Sequence, residues 1–136
     1  MRFSKLVLAV AAFVVTTTAT ALIAAEITKD SLETVKKNVV EKKAVLVDVR
    51  EKSKWDEGHI EGSIFLPLSV LKKGVKKEQL AKAIPEGRIL YTFCVVGKRA
   101  VTAGNILEEF GYEVRALKPG YKELVRAGFK KAERKK

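Results

Sequence analysis

The chain has 136 residues, 27 of them basic and 16 acidic, for a formal net charge of +11, with one cysteine and one histidine. That length supports one ordinary domain with its own core, and an apolar fraction of 47% excludes a disordered chain. A lone cysteine, Cys94, excludes an intramolecular disulfide and any multi-cysteine zinc or iron–sulfur site, and a lone histidine, His59, excludes paired-histidine metal motifs. No metal or cofactor is expected.

Residues 1–25 read as an export signal: Arg2 and Lys5, an apolar stretch from Leu6 to Val15, then a Thr/Ala-rich region. Cleavage is expected after Ala21 or Ala25, which places the remainder in the periplasm. The uncharged run of residues 6–25 is also long enough for a retained membrane anchor, the competing reading and the one route to a membrane. Removing the segment takes away two basic residues and no acid, so the remainder stays strongly basic.

Beyond it, short apolar runs alternate with helical patterns. Leu32, Val35 and Val39 form an apolar helical stripe, with Asp30 or Ser31 as its cap. Residues 44–49 (Ala-Val-Leu-Val-Asp-Val) and 89–93 (Ile-Leu-Tyr-Thr-Phe) are near-continuous apolar runs, the signature of strands covered on both faces. Residues 64–67 and 114–117 are weaker strands. Helical stripes recur at Leu80/Ala83/Ile84, at Ala103/Ile106/Leu107/Phe110 with Gly111 as its left-handed end, and at Tyr121/Leu124/Val125. This alternation predicts an α/β fold in three layers, a mostly parallel sheet with helices on both faces. The domain is expected over residues 26–129, with 130–136 as a basic, frayed tail.

The chemistry concentrates at Cys94-Val95-Val96-Gly97-Lys98-Arg99. A buried strand delivers Cys94 to its C-terminal end, a loop turns at Gly97, and a helix begins. Ligands bind at that edge of open parallel sheets. A tight loop there points backbone N–H groups inward, and the helix mouth adds partial positive charge. Lys98 and Arg99 supply more. Together they favour the thiolate, the nucleophilic form of cysteine.

The same six residues resemble the Cys-x-x-Gly-x-Arg active-site loop of rhodanese-family domains. Asp48-Val49-Arg50-Glu51, followed by Gly58-His59-Ile60-Glu61-Gly62-Ser63, is similar to a second family signature, and Gly120-Tyr121 with Ala127-Gly128 to a third. The three lie in register from Ala44 to Phe129. The resemblance implies a rhodanese-like fold and a sulfurtransferase. The loop cysteine takes a sulfane sulfur from thiosulfate or another donor as a persulfide, and a thiol-type acceptor or partner protein removes it. Cys94 is then the catalytic residue, residues Val95, Val96, Gly97, Lys98 and Arg99 bind the substrate, and Asp48, Arg50 and His59 support the site. The sequence departs from the pattern at Ala100 (often Ser), Lys54 (usually Glu), Pro119 (a Gly) and Leu124 (a Trp). The apolar Val95-Val96 front favours an organic or protein persulfide over thiosulfate.

Around the site, Asp48 and Arg50 are expected as a buried ion pair, His59 as a hydrogen-bonded scaffold residue, and Trp55 as packing under the loop after Arg50. Nucleic acid is not an expected partner, because no aromatic-basic interleaving accompanies the charge. Two other functions compete. One is a catalytically weak rhodanese-like module that carries sulfur or binds a partner. The other is a cysteine phosphatase, whose loop Arg stands six positions after the nucleophile, where Arg99 follows Cys94 by five. Metal-reducing relatives that bind arsenate-like oxyanions are a further possibility within the same resemblance.

Overall fold

The computed structural model describes residues 11–16 and 25–134. The elements run α1 (Leu32–Val40), β1 (Ala44–Asp48), α2 (Lys52–Glu57), β2 (Ile64–Phe65), α3 (Leu68–Lys73), α4 (Lys77–Ala83), β3 (Ile89–Phe93), α5 (Lys98–Glu109), β4 (Val114–Ala116) and α6 (Tyr121–Arg126). The strands form one parallel sheet in the order β2-β1-β3-β4. The two continuous apolar runs are its centre, with Ala44 opposite Ile89 and Asp48 opposite Phe93.

Side chains alternate across the pleat, so each central strand feeds two cores. Val45, Val47 and Leu90 pack with Leu71, Leu80, Ala103 and Leu107, which places α3, α4 and α5 on one face. Ala44, Leu46, Tyr91 and Phe93 pack with Val35, Leu124 and Phe129, which places α1 and α6 on the other. The expected three layers are present. Ser31 caps α1, its Oγ accepting from Thr34 N–H at 3.1 Å, while Asp30 turns to Tyr91 and Arg115. Gly111 follows α5 with φ +92°.

Three features depart from expectation. The six-residue helices α2 and α3 are too short to print a stripe on the sequence. At the N-terminal side, Ile27 bridges Ala116 in parallel, Thr28 N–H donates to Ala116 O, and Ala25 is buried, its N–H donating to Asn105 Oδ1 at 2.8 Å. Ala25 fits because Gly104 offers no side chain: a Cβ there would lie 2.8 Å from the Ala25 methyl. Among the described residues, Ala25 already packs against the domain expected over residues 26–129. The tail is not frayed at its root, since Lys131 bridges Ile60 in antiparallel fashion, with Glu61 N–H donating to Lys130 O and Ala132 N–H to His59 O. The backbone groups exposed beside Ile60 take up these bonds whatever side chains the tail carries. The expected export segment lies outside the described residues apart from 11–16 and Ala25, as do residues 135–136.

Candidate active site

In this strand order the chain leaves β1 toward β2 on one side and leaves β3 toward β4 on the other. The crevice of such a sheet opens at the C-terminal ends of β1 and β3. Arg50 follows β1 and Cys94 follows β3. The loop 94–97 turns on Gly97, whose φ of +96° is left-handed and closed to most side chains. A Cβ there would also press on Ile27 Cδ1 at 3.1 Å and Lys118 Cα at 3.3 Å. With that turn made, Gly97 N–H donates to Cys94 Sγ at 3.2 Å, and Lys98 starts α5. Thr92 Oγ1 fixes the helix's first turn from below, donating to Ala100 O at 2.9 Å.

The expected ring of amides is smaller than the loop's length suggests: among the described residues, Gly97 N–H is the one amide bonded to the sulfur. The thiol is also better covered than a strand end implies. Cys94 is 2% exposed and belongs to the same apolar cluster as Ala100 and Ala103. Gly120 packs directly against the loop backbone, where a Cβ would lie 2.5 Å from Cys94 O and 2.6 Å from Val95 O. That close approach is why a glycine stands before α6. Val95 and Val96, by contrast, are 61% and 66% exposed.

Asp48 and Arg50 form the expected buried pair. Arg50 Nη2 lies 2.7 Å from Asp48 Oδ2 and Nε 2.9 Å from Oδ1, while Nη2 also donates to Gly58 O at 2.8 Å. The guanidinium rests on the Tyr121 ring, 4.4 Å from its centroid. A Cβ on Gly58 would strike the Tyr121 hydroxyl at 2.6 Å. This clasp holds one wall of a depression of about 370 Å³ beside Val95, lined by Arg50, Lys54, Gly58, Val95, Tyr121, Lys122 and Lys131, with Glu57 and Glu123. Arg50 is already neutralised by Asp48, so the charge facing the depression is that of Lys54, Lys122 and Lys131 against Glu57 and Glu123, a small positive excess that suits a small anion.

The remaining expected residues scatter. Lys98 and Arg99 occupy the first turn of α5, exposed and with no carboxylate partner among the described residues. Neither lines the cationic depression: Lys98 faces a groove on the Val96 side, and Arg99 borders neither. His59 is a scaffold residue, stacked on Trp55 at 3.7 Å with Nδ1 3.3 Å from Trp55 O, beside a separate depression. Trp55 packs its ring on His59 and Phe65. Of the four departures from the family pattern, Ala100 and Leu124 are fully buried and Lys54 lines the cationic depression. Lys122 and Lys131 carry no motif of their own and reach the pocket only through tertiary structure. Clustering of Lys/Arg downstream of Gly120 is the one sequence signal they leave.

A family described as "Rhodanese-like domain" matches residues 31–127. The chain belongs to the rhodanese-like family. Its relatives include the thiosulfate sulfurtransferase PspE of Escherichia coli (strain K12), 31% identical over 67 residues, 48% of this chain and 60% of that protein. The protein YqhL of Bacillus subtilis (strain 168) is 35% identical over 83 residues, 60% of this chain and 61% of that one. The human single-domain sulfurtransferase TSTD1 superposes with a TM-score of 0.59 at 25% identity, over 71% of this chain and 94% of that one. The matched segments amount to between 17% and 61% of the curated relatives' own lengths.

Proposed function

We propose that this domain is a sulfurtransferase that moves a sulfane sulfur from a small anionic donor to a thiol through a persulfide on Cys94. The observation that carries the reading is the Gly97 N–H aimed at the Cys94 sulfur from the mouth of α5. That donor favours negative charge on sulfur, both in the attacking thiolate and in the persulfide that replaces it.

In the first half-reaction the Cys94 thiolate attacks the outer sulfur of thiosulfate. A new S–S bond forms, the bond between the two donor sulfurs breaks, and its electron pair leaves with sulfite. In the second, an acceptor thiolate attacks the terminal sulfur of the Cys94 persulfide, the S–S bond breaks, and Cys94 returns as thiolate while the acceptor leaves as a persulfide. Covalent storage divides one transfer into two easier displacements. Lys54, Lys122 and Lys131 hold the dianion beside Val95 and neutralise the departing sulfite, with Arg50 bracing the wall behind them. This cationic wall favours thiosulfate or a similar anion as donor and leaves the apolar character of the loop for the acceptor. Export belongs to the same proposal: the domain acts outside the cytoplasm, and cleavage after Ala21, rather than Ala25, keeps the Ala25 methyl in its pocket against α5.

Sulfite release from thiosulfate in the presence of a small thiol tests this. The account expects turnover that falls as salt screens the pocket and vanishes in Cys94→Ser; salt-independent turnover, or turnover surviving that substitution, contradicts it. A second reading, a sulfur-carrying or partner-binding module with weak turnover, is favoured by the 2% exposure of Cys94. A single equivalent of sulfite without further turnover selects it.

A further inference from the structure

The active-site loop has two unlike sides. Val95 borders the cationic depression, whereas Val96 borders a shallow groove of about 570 Å³ formed with Ile27, Gly97, Lys98, Val101 and Lys118. Its described lining is branched aliphatic, flanked by two lysines, with no acidic side chain. Val96 and Ile27 stand 66% and 40% exposed there. Single exposed apolar residues are ordinary, but contiguous ones on the loop that carries a reactive cysteine mark a contact surface. A small dianion gains nothing from them. Ile27 reaches the groove because residues 26–28 pair with β4, so the N-terminal edge of the domain builds one side of it.

We propose that this groove docks the sulfur acceptor, and that the acceptor is a protein segment presenting its cysteine beside aliphatic side chains and flanking carboxylates. The aliphatic residues lie against Ile27, Val96 and Val101, and the carboxylates meet Lys98 and Lys118. Such docking brings the incoming thiolate to the loop that carries the Cys94 persulfide; it attacks the terminal sulfur, and the S–S bond breaks with return of the Cys94 thiolate. The inference rests on the sulfurtransferase reading and adds the class of acceptor to it.

The test uses the full chain and two synthetic cysteine peptides, Glu-Leu-Cys-Leu-Glu and Lys-Leu-Cys-Leu-Lys, with dithiothreitol as a small reference thiol. The intact mass is measured after thiosulfate and before any acceptor is added. The proposal expects the acidic peptide to discharge the persulfide with a KM at least about tenfold below that of the basic one. Lys118→Glu then removes or inverts that preference, and Ile27→Ser raises the KM for both peptides, while loading by thiosulfate and discharge by dithiothreitol stay as in the unaltered chain. Equal KM values for the two peptides overturn the proposal, including where a second copy of the chain or its own N-terminal segment covers the groove. So does a Lys118→Glu effect equal on peptide and dithiothreitol. Failure to load Cys94 at all is a separate result: it removes the sulfurtransferase reading, and this inference with it.

Discussion

Arg50 joins three parts of the site through one guanidinium: the Asp48 carboxylate at the end of β1, the Gly58 carbonyl after α2, and the face of Tyr121 at the start of α6. The planar fork matters, because a lysine ammonium offers neither two parallel bonds nor a stacking surface. Both partners of the ion pair are buried, with side-chain exposures of 6% and 0%, so neither charge has water to fall back on. Removing one charge strands the other. Asp48→Asn is therefore expected to destabilise the fold by about 3–5 kcal/mol, read from urea denaturation midpoints. Arg50→Lys keeps the charge and loses the fork, so its loss is smaller and accompanied by a weaker affinity for thiosulfate. A change below about 1 kcal/mol for Asp48→Asn would show that the pair does not hold the pocket wall.

Between elements, a second polar cluster ties the lead into α1 to β3 and β4. Asp30 Oδ2 accepts from the Tyr91 hydroxyl at 2.6 Å and from Arg115 Nη1 at 2.8 Å, and Asn38 Nδ2 donates to the Tyr91 oxygen at 2.9 Å. The Tyr91 hydroxyl, with Arg115 behind it, holds the Asp30 carboxyl below its usual range, against an opposing contribution from burial. Burial and the Asp30 contact push the Tyr91 hydroxyl up, and the Asp30 hydrogen bond raises the Arg115 guanidinium further. A lowered carboxyl binds its proton less readily in the folded chain than in the unfolded one. Its stabilising contribution is present above the ordinary carboxylate value of about 3.9 and is lost as pH falls through the folded value. Asp30→Asn should thus lower Tm by about 2–5 °C at pH 6, and the gap to the unaltered chain should narrow as pH falls below the ordinary carboxylate range. A gap that is constant with pH would show that the carboxylate's charge contributes nothing.

At the scale of the whole molecule, the parts legible in the sequence are those whose signal is local. The runs at 44–48 and 89–93 print their double burial directly, and Cys94 with Gly97 marks a strand-loop-helix turn. What was illegible is built by backbone pairing or by convergence. Residues 26–28 and 130–132 join the fold through main-chain bonds that impose no side-chain pattern. Lys54, Lys122 and Lys131 line one pocket although they lie on three different segments, whereas Arg99, close to Cys94 in sequence, borders neither that pocket nor the groove beside Val96. The depth of the thiol was hidden for the same reason, since Cys94 joins an apolar cluster drawn from several elements. All of this converges on one sulfur atom, and the intact mass of the full chain after thiosulfate, without reductant, examines it most directly. The account predicts a gain of one sulfur atom per chain, lost again to an added thiol and absent in Cys94→Ser. No gain from the unaltered chain, or the same gain in Cys94→Ser, would contradict it.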